Sequence, residues 1–306
     1  MAENSAISWT THTWNPWMGC TKISPACDGC YAEALMDKRY NRVQWGPHGD
    51  RVRTGTSTWR EPLRWQKRAE KDGDRPFVFC ASLADIFDNQ VDPHWRADAF
   101  DVMRRTPNLV YLLLTKRPQN IVKLSDAVGG LPANVALGTT VEDQKRADQN
   151  LPALQVAKIE TNPLFTFGSF EPLLGMITIP QVLMPDWIIT GGETDQGKHR
   201  ARPSHPDWFR SLRDQAATHG AAYHHKQNGE WSPLETRVGT HQQFAIDHDG
   251  NLYASHEISY PDGVRRGEIN ERARASLTAI YKVGKKQSGR MLDGVTHDEF
   301  PELRTS

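Results

Sequence analysis

The sequence predicts an α/β fold: a partial (β/α) barrel of parallel strands with a small β-rich C-terminal appendage. Three observations predict it. Short apolar runs of strand type alternate with segments long enough for helices, nearly every run ends in a polar cluster, and beyond Trp231 the alternation gives way to hairpin-like sequence. Alternating strand and helix implies parallel strands with helices packed outside them. A doubly wound sheet would satisfy that pattern as well. The polar clusters favour the barrel, because its strand C-termini all open onto one face, where sites are built.

Taken in order, Ser8–Asn15 (SWTTHTWN) can supply the first strand, and a cysteine-bearing loop follows it directly. Residues Arg39–Arg75 are rich in Gly, Arg and Trp without clear periodicity and predict a long loop or lid. The strand-type runs are Phe77–Ser82, Leu109–Thr115, Val135–Thr140, Leu164–Ser169, Trp187–Glu193 and the less apolar Ala221–Gln227. Crossover helices are expected over Pro93–Arg105, Val141–Val156 and Pro206–His219, with Asp207 favouring the start of the last. In the tail, Gln243–Asp247 and Leu252–Ser255 flank His248-Asp249-Gly250-Asn251, a hairpin signal. The polar segment Lys285–Arg290 follows. The expected organisation is a barrel unit over 1–230 and an extension over 231–306 packed on it.

Lys plus Arg and Asp plus Glu each number 37, so the formal net charge is zero. That excludes a protein that coats nucleic acid by charge alone, while leaving room for a local basic groove. No apolar run approaches the roughly 20 residues that span a bilayer. The opening residues lack the basic region and apolar core of a secretory signal, so the expectation is a cytoplasmic protein without membrane partners.

Of four cysteines, three fall within Gly19–Tyr31 (GCTKISPACDGCY) as C-x6-C-x2-C: Cys20, Cys27 and Cys30. A disulfide framework would spread its cysteines and suit an exported chain. In a reducing compartment the trio reads as metal or cluster ligation, thiolates being soft ligands. Zinc would require a fourth ligand, with Cys80, His12 or another His as candidates. A cluster on three thiolates would instead leave one iron open. Cys80 itself, inside an apolar strand, reads as core.

The polar clusters supply the other candidates: Ser82 and Asp85; Thr115, Lys116 and Arg117; Thr140 and Glu142; Ser169 and Glu171; Gly191, Gly192 and Glu193; Lys226 and Gln227. Lys116-Arg117 can grip a carboxylate or phosphate, or simply pair with nearby acids at a strand end. Glu171 precedes Pro172, which restricts its backbone and can aim the carboxylate into the pocket. Gly191-Gly192 permits close backbone approach to a ligand or a tight turn. Glu193 is placed to bond a ribose hydroxyl or a substrate amine. His224-His225 reads as structural, since neighbours on a strand point to opposite faces. Lys226-Gln227 and Lys285, Lys286 and Arg290 can contact a phosphate-bearing substrate, but the latter group reads as a solvated face; Trp9, Trp14 and Trp17 can shield the cysteine loop from solvent and read as aromatic packing.

Several stretches together make a resemblance. Trp14–Cys20 (WNPWMGC), Ser24–Glu33 (SPACDGCYAE), Leu112–Pro118 (LLLTKRP), Leu137–Gln144 (LGTTVEDQ), Ser169–Leu174 (SFEPLL), Ile188–Glu193 (IITGGE) and Gly284–Gly294 (GKKQSGRMLDG) are similar to the three-cysteine, radical-SAM-like proteins of phages and prophages. Ala201-Arg202-Pro203 fits as well, and the resemblance runs from residue 7 to about residue 301. It implies a partial barrel of radical-SAM type, a 4Fe-4S cluster on Cys20, Cys27 and Cys30, and S-adenosylmethionine bound at the open iron. An electron from the cluster would then release a 5′-deoxyadenosyl radical that abstracts hydrogen from substrate. It further implies a reductant protein, a small-molecule or nucleic-acid substrate, and a possible separate partner protein.

The chain departs from the superfamily pattern in three ways. Its cysteines are separated by six and two residues rather than three and two, and Gly29 rather than an aromatic precedes the third. Its GGE sits on a late strand, so the amino-group role of that motif falls by position to Ser82 and Asp85. On this reading Lys116, Glu171 and Glu193 are the catalytic candidates, and Ser82, Asp85, Thr115, Lys116, Arg117, Thr140, Glu142, Ser169, Gly191 and Gly192 bind cofactor. Two other functions fit the residues: a zinc-stapled, non-catalytic binding module, and a barrel hydrolase with a divalent ion on Asp85, Glu171 and Glu193.

Overall fold

The structure, a computed structural model, describes residues 3–234, 241–254 and 277–303. In chain order its strands are β1 (His12–Trp14), β2 (Trp17–Met18), β3 (Val52–Arg53), β4 (Phe77–Cys80), β5 (Val110–Thr115), β6 (Val135–Thr140), β7 (Thr166–Phe170), β8 (Trp187–Gly191) and β9 (Ala222–Gln227). Then come β10 (Trp231–Ser232), β11 (Gln243–Ile246), β12 (Leu252–Ala254), β13 (Thr278–Lys282) and the paired β14 (Met291–Leu292) and β15 (Val295–Thr296).

Seven of them form one parallel sheet in the order β1-β4-β5-β6-β7-β8-β9. The order never reverses, as it would in a doubly wound sheet. Right-handed crossovers then put every connection on the same side, and the sheet curls around its other face. β1 and β9 do not pair, so the barrel is partial. Both faces are buried, which explains the nearly unbroken apolar runs. In β5, Val110 and Leu112 face the inner cluster with Trp9, Phe167 and Trp187, while Tyr111 and Leu113 face the outer layer. Burying each such side chain contributes about 1.5–3 kcal/mol.

The crossover helices are α3 (Pro93–Arg104), α5 (Gln144–Thr161) and α6 (Pro206–His219), with the shorter α4 (Ile121–Asp126) between β5 and β6. Their starts are chemically set. The Asp92 carboxylate accepts from the His94 N–H at 2.8 Å ahead of Pro93, and Asp143 accepts from the Arg146 N–H at 2.8 Å. At α6 the cap is His205, whose Nδ1 accepts from the Asp207 N–H at 3.1 Å.

One expectation is corrected. Arg39–Arg75 is not a plain loop: it contains β3, paired with β2, and the 17-residue helix α2 (Thr56–Asp72). Its buried stripe is Thr58, Pro62, Trp65, Gln66 and Ala69. The helical spacing is present, but polar and small residues carry it, so no apolar periodicity announces it.

The expected β-rich extension is a four-stranded antiparallel sheet, β10-β13-β11-β12. Its β11–β12 hairpin turns at 247–251 as the Asp-Gly signal predicts; Ser255, at the far end of that expectation, lies outside the described residues. Further on, His224 of β9 bridges to Asp298, and the Trp187 indole donates to the Glu299 carbonyl at 2.9 Å. Phe300 packs on Trp187 with ring centroids 5.2 Å apart. Residues 298–300 thereby cover the aromatic, N-terminal end of the sheet.

Candidate functional site

The strand C-termini surround a cavity of about 790 Å³ whose wall includes Cys20, Cys27 and Cys30. None of the three is in a disulfide. Cys80 is fully buried in the outer core and His12 stacks on Trp65, and neither lines the cavity. Among the described residues the three thiols do not form a group with all ligand atoms within 4.8 Å of one another. Zn–S bonds of about 2.3 Å would hold tetrahedral sulfurs roughly 4 Å apart. A single zinc would therefore require the loop to draw in, and the three thiols are soft donors sharing one cavity wall.

Charged groups hold the two ends of the cysteine loop. At the first end the Arg117 guanidinium reaches the Cys20 Sγ at 3.6 Å, the Asp85 carboxylate at 2.8 Å and the Thr21 carbonyl at 2.9 Å. Asp85 also accepts from the Thr115 hydroxyl at 2.7 Å and from the Lys116 N–H at 3.3 Å. Arg51 adds a second tie, an ion pair to Asp88 at 2.6 Å and a bond to the Thr21 hydroxyl at 2.9 Å. Burial pushes the Cys20 thiol up to about 12, with Asp85 adding to the rise and Arg117 opposing it. A thiol so placed loses its proton only when a cation such as a metal replaces it.

At the second end, the Ala26 N–H between Pro25 and Cys27 donates to Glu142 at 3.2 Å. Arg202 grips Glu193 with Nε and Nη2 at 2.9 and 2.6 Å, while also meeting the Pro25 carbonyl at 2.9 Å and Asp28 at 3.3 Å. Burial would raise the Glu193 carboxyl, but the Arg202 side chain and backbone N–H hold it below its usual range. Gly29 is where this packing is tightest. A Cβ there would lie 2.7 Å from the His199 ring and 3.2 Å from Glu193 Oε1. That accounts for glycine ahead of Cys30, where an aromatic residue would not fit.

The remaining wall is polar. Lys116 points its ammonium toward the Thr140 hydroxyl at 3.3 Å. Glu171, joined to Pro172 by a cis peptide bond, receives Lys226 at 2.7 and 2.8 Å and Gln227 at 2.6 Å. A Cβ on Gly191 would come within 2.9 Å of the Glu171 carboxyl carbon, so this glycine leaves room for that carboxylate. Tyr31 donates to the Ser82 carbonyl at 2.7 Å, and Asn15 bonds the Ser82 hydroxyl at 3.0 Å.

Of the residues singled out from sequence, Ser82, Asp85, Thr115, Lys116, Arg117, Thr140, Ser169, Glu171, Gly192, Glu193, Lys226 and Gln227 line the cavity with the cysteines. Glu142 and Gly191 stand behind the wall and act on it through Ala26 and Glu171. Lys285, expected on a solvated face, lines the cavity, whereas Arg290 pairs with Asp298. Trp9 reaches the wall, while Trp14 and Trp17 are core. His224 and His225 are fully buried; burial lowers both to about 4, and His225 bonds Thr190 and Asn228 at 2.9 Å. Sequence reasoning missed Arg51 and the clamp formed by Arg202. The latter had one visible signal, the Ala201-Arg202-Pro203 motif, with nothing to say what it touched.

Residues 4–301 match the family described as "Protein of unknown function (DUF5131)". No curated protein matches the sequence. Among solved structures, a mutant of spore photoproduct lyase is similar at 12% identity and a TM-score of 0.42, covering 82% of this chain and 70% of that one. Among the described residues no helix is long and apolar enough to cross a membrane.

Proposed function

We propose that this chain, which belongs to the DUF5131 family, is an iron–sulfur, S-adenosylmethionine-dependent radical enzyme. Its substrate would be a nucleobase, nucleotide or nucleic acid, in a phage or prophage setting. The observation that carries the reading is three free thiols on the wall of one large cavity that also gathers the strand-end polar residues, with Cys80 and His12 elsewhere. The residues present fit a four-iron cluster on Cys20, Cys27 and Cys30. Bound there with S-adenosylmethionine, it supplies one-electron reduction and a carbon-centred radical able to abstract hydrogen.

The chain itself orients and encloses. Arg117 and Arg202 fix the two ends of the loop that presents the thiols. Lys116, Ser169 and the Glu171–Lys226 pair offer polar contacts on the facing wall for the cofactor's amino and carboxylate groups or for substrate. Trp9, Phe79 and Leu114 form an apolar lining that excludes water from the reacting centre. The barrel over 1–230 would carry the chemistry, and the extension over 231–306 would complete its wall. A reductant protein is required as electron donor. A reducing, cytoplasmic setting suits the free thiols.

Anaerobic reconstitution tests the reading. The protein should turn brown and hold about four irons with matching sulfide. After reduction it should cleave S-adenosylmethionine. Cys20→Ala, Cys27→Ala and Cys30→Ala should each lose the cluster, while Cys80→Ala keeps it. Stoichiometric zinc as the sole metal would remove the radical mechanism in favour of a zinc-stapled module.

A further inference from the structure

The cavity wall carries more cations than its own acids satisfy. Its three carboxylates are all engaged: Asp85 by Arg117, Glu171 by Lys226 and Gln227, and Glu193 by Arg202 and His199. Lys22 and Lys38 are drawn to Glu33. Among the described residues, the side-chain cations of Arg39, Lys116 and Lys285 on this wall form no ion pair, although the Glu230 carboxylate accepts from the Lys285 backbone N–H at 3.2 Å. Lys116 is half-buried and its ammonium is turned inward to the Thr140 hydroxyl at 3.3 Å. Arg39 and Lys285 are different: both are exposed, at the mouth.

These two come from segments far apart in sequence, and each is placed by structure. Arg39 ends the π-helical turn Ala34–Arg39 that follows Cys30, a wide turn of a kind frequent at functional sites. Lys285 opens the short helix Lys285–Ser288 in the C-terminal extension. That helix is stitched to the loop after β9. The Ser288 hydroxyl donates to the Gly229 carbonyl, Asn228 donates to the Ser288 carbonyl at 2.8 Å, and the Gly284 N–H donates to the Glu230 carbonyl at 3.0 Å. The extension thus brings a cation to a mouth that the barrel alone would leave open. Tyr31, also exposed, lines the same cavity and offers an aromatic surface for a base. In a chain of zero net charge, this local excess is a field directed at an anion.

We propose that the mouth of the cavity grips the phosphate of a nucleotide unit between Arg39 and Lys285, directing the rest of the unit inward toward Cys20, Cys27 and Cys30. This deepens the radical-enzyme reading and rests on it for the direction of the substrate, but the phosphate grip itself is separable from the cluster. A guanidinium fork and a mobile ammonium together suit a phosphate ester. The same chemistry comes from a free nucleotide or from one residue of a single strand.

Equilibrium dialysis of the reconstituted full-length chain tests it, using common nucleosides, their 5′-monophosphates and a short single-stranded oligonucleotide. At least one phosphorylated probe should bind roughly tenfold tighter than its nucleoside, with an advantage that falls as salt rises. Preference for monophosphate identifies a free nucleotide; binding of the strand alone identifies nucleic acid. The Arg39→Gln/Lys285→Gln variant should lose the advantage while keeping its iron and visible absorbance. Cys27→Ala, without a cluster, should retain the preference, so loss of the radical reading and loss of this one are told apart. Equal binding of nucleosides and phosphorylated probes, no binding of any probe, or an unaltered preference in the double variant would each overturn the proposal.

Discussion

The two ends of the cysteine loop are held by the same chemistry in different surroundings. Cys20 is fixed by Arg117 and Asp85, whose side chains are 7% and 6% exposed. The Cys27–Cys30 end is fixed by Arg202 and Glu193, at 35% and 4%. The first arginine is committed entirely to the interior, whereas the second lies across the surface and bridges a strand end to the loop. A buried ion pair is costly to break because its survivor is left charged and unpaired, while a half-exposed one is softened by water. The first anchor thus acts as part of the core, and the second as a clasp that can be opened separately.

Arg117→Gln is the sharpest way to break that contrast. Leaving Asp85 buried without its partner should cost about 3–5 kcal/mol of stability, read by urea denaturation. The same change removes a charged donor from one cluster thiolate, so the reduction potential of any molecules that load iron should fall. Asp85→Asn should also destabilise but move the potential upward, since a nearby negative charge has gone. Shifts of the same sign would mean that Arg117 acts on packing alone. Arg202→Gln should cost less, about 1–2 kcal/mol, because water can reach the vacated side of Glu193. Its mark should instead be local: faster hydrogen exchange over 24–31 with the Cys20 end unchanged. Arg202→Lys should rescue little, since a point charge cannot reproduce the two-pronged contact with Glu193.

The contrast also explains what could be read from the sequence. Strands β5 and β6 fall within a residue of their expected bounds because both faces of the sheet are buried and the runs are nearly all apolar, and the more polar β9 is found by its place after the last crossover helix. The convergence of strand-end residues on one cavity follows from parallel topology, so Lys116, Ser169 and Glu171 could be named in advance. Helix α2 was hidden because its buried stripe runs through Thr58, Pro62 and Gln66. Arg202 was hidden for another reason: its partners Pro25 and Asp28 lie 177 and 174 residues away, and no local pattern records a contact of that span. Lys285 is exposed as a charged tail suggests, and only the fold shows that it stands on the cavity wall. Local chemistry shows in sequence; contacts that only the closed chain creates do not.

The smallest expected effect separates the anchors by acid. Glu193 has its carboxyl held below the ordinary value of 4.5 by Arg202 against the opposing effect of burial. A carboxyl whose pKa is depressed on folding contributes stability that is present above its unfolded value and is lost as pH falls through the folded one. Chemical unfolding of the metal-free protein should therefore show wild type more stable than Glu193→Gln at neutral pH. The gap should hold down to about pH 4.5 and narrow below it. Cys20 is an acid kept protonated by burial, so the stability tied to it falls as pH rises above its ordinary value of 9.0, and acid leaves it unchanged. A Glu193→Gln gap that stays constant through the acid range would mean that the carboxylate's charge does not hold the clasp, and that shape alone keeps Arg202 in place.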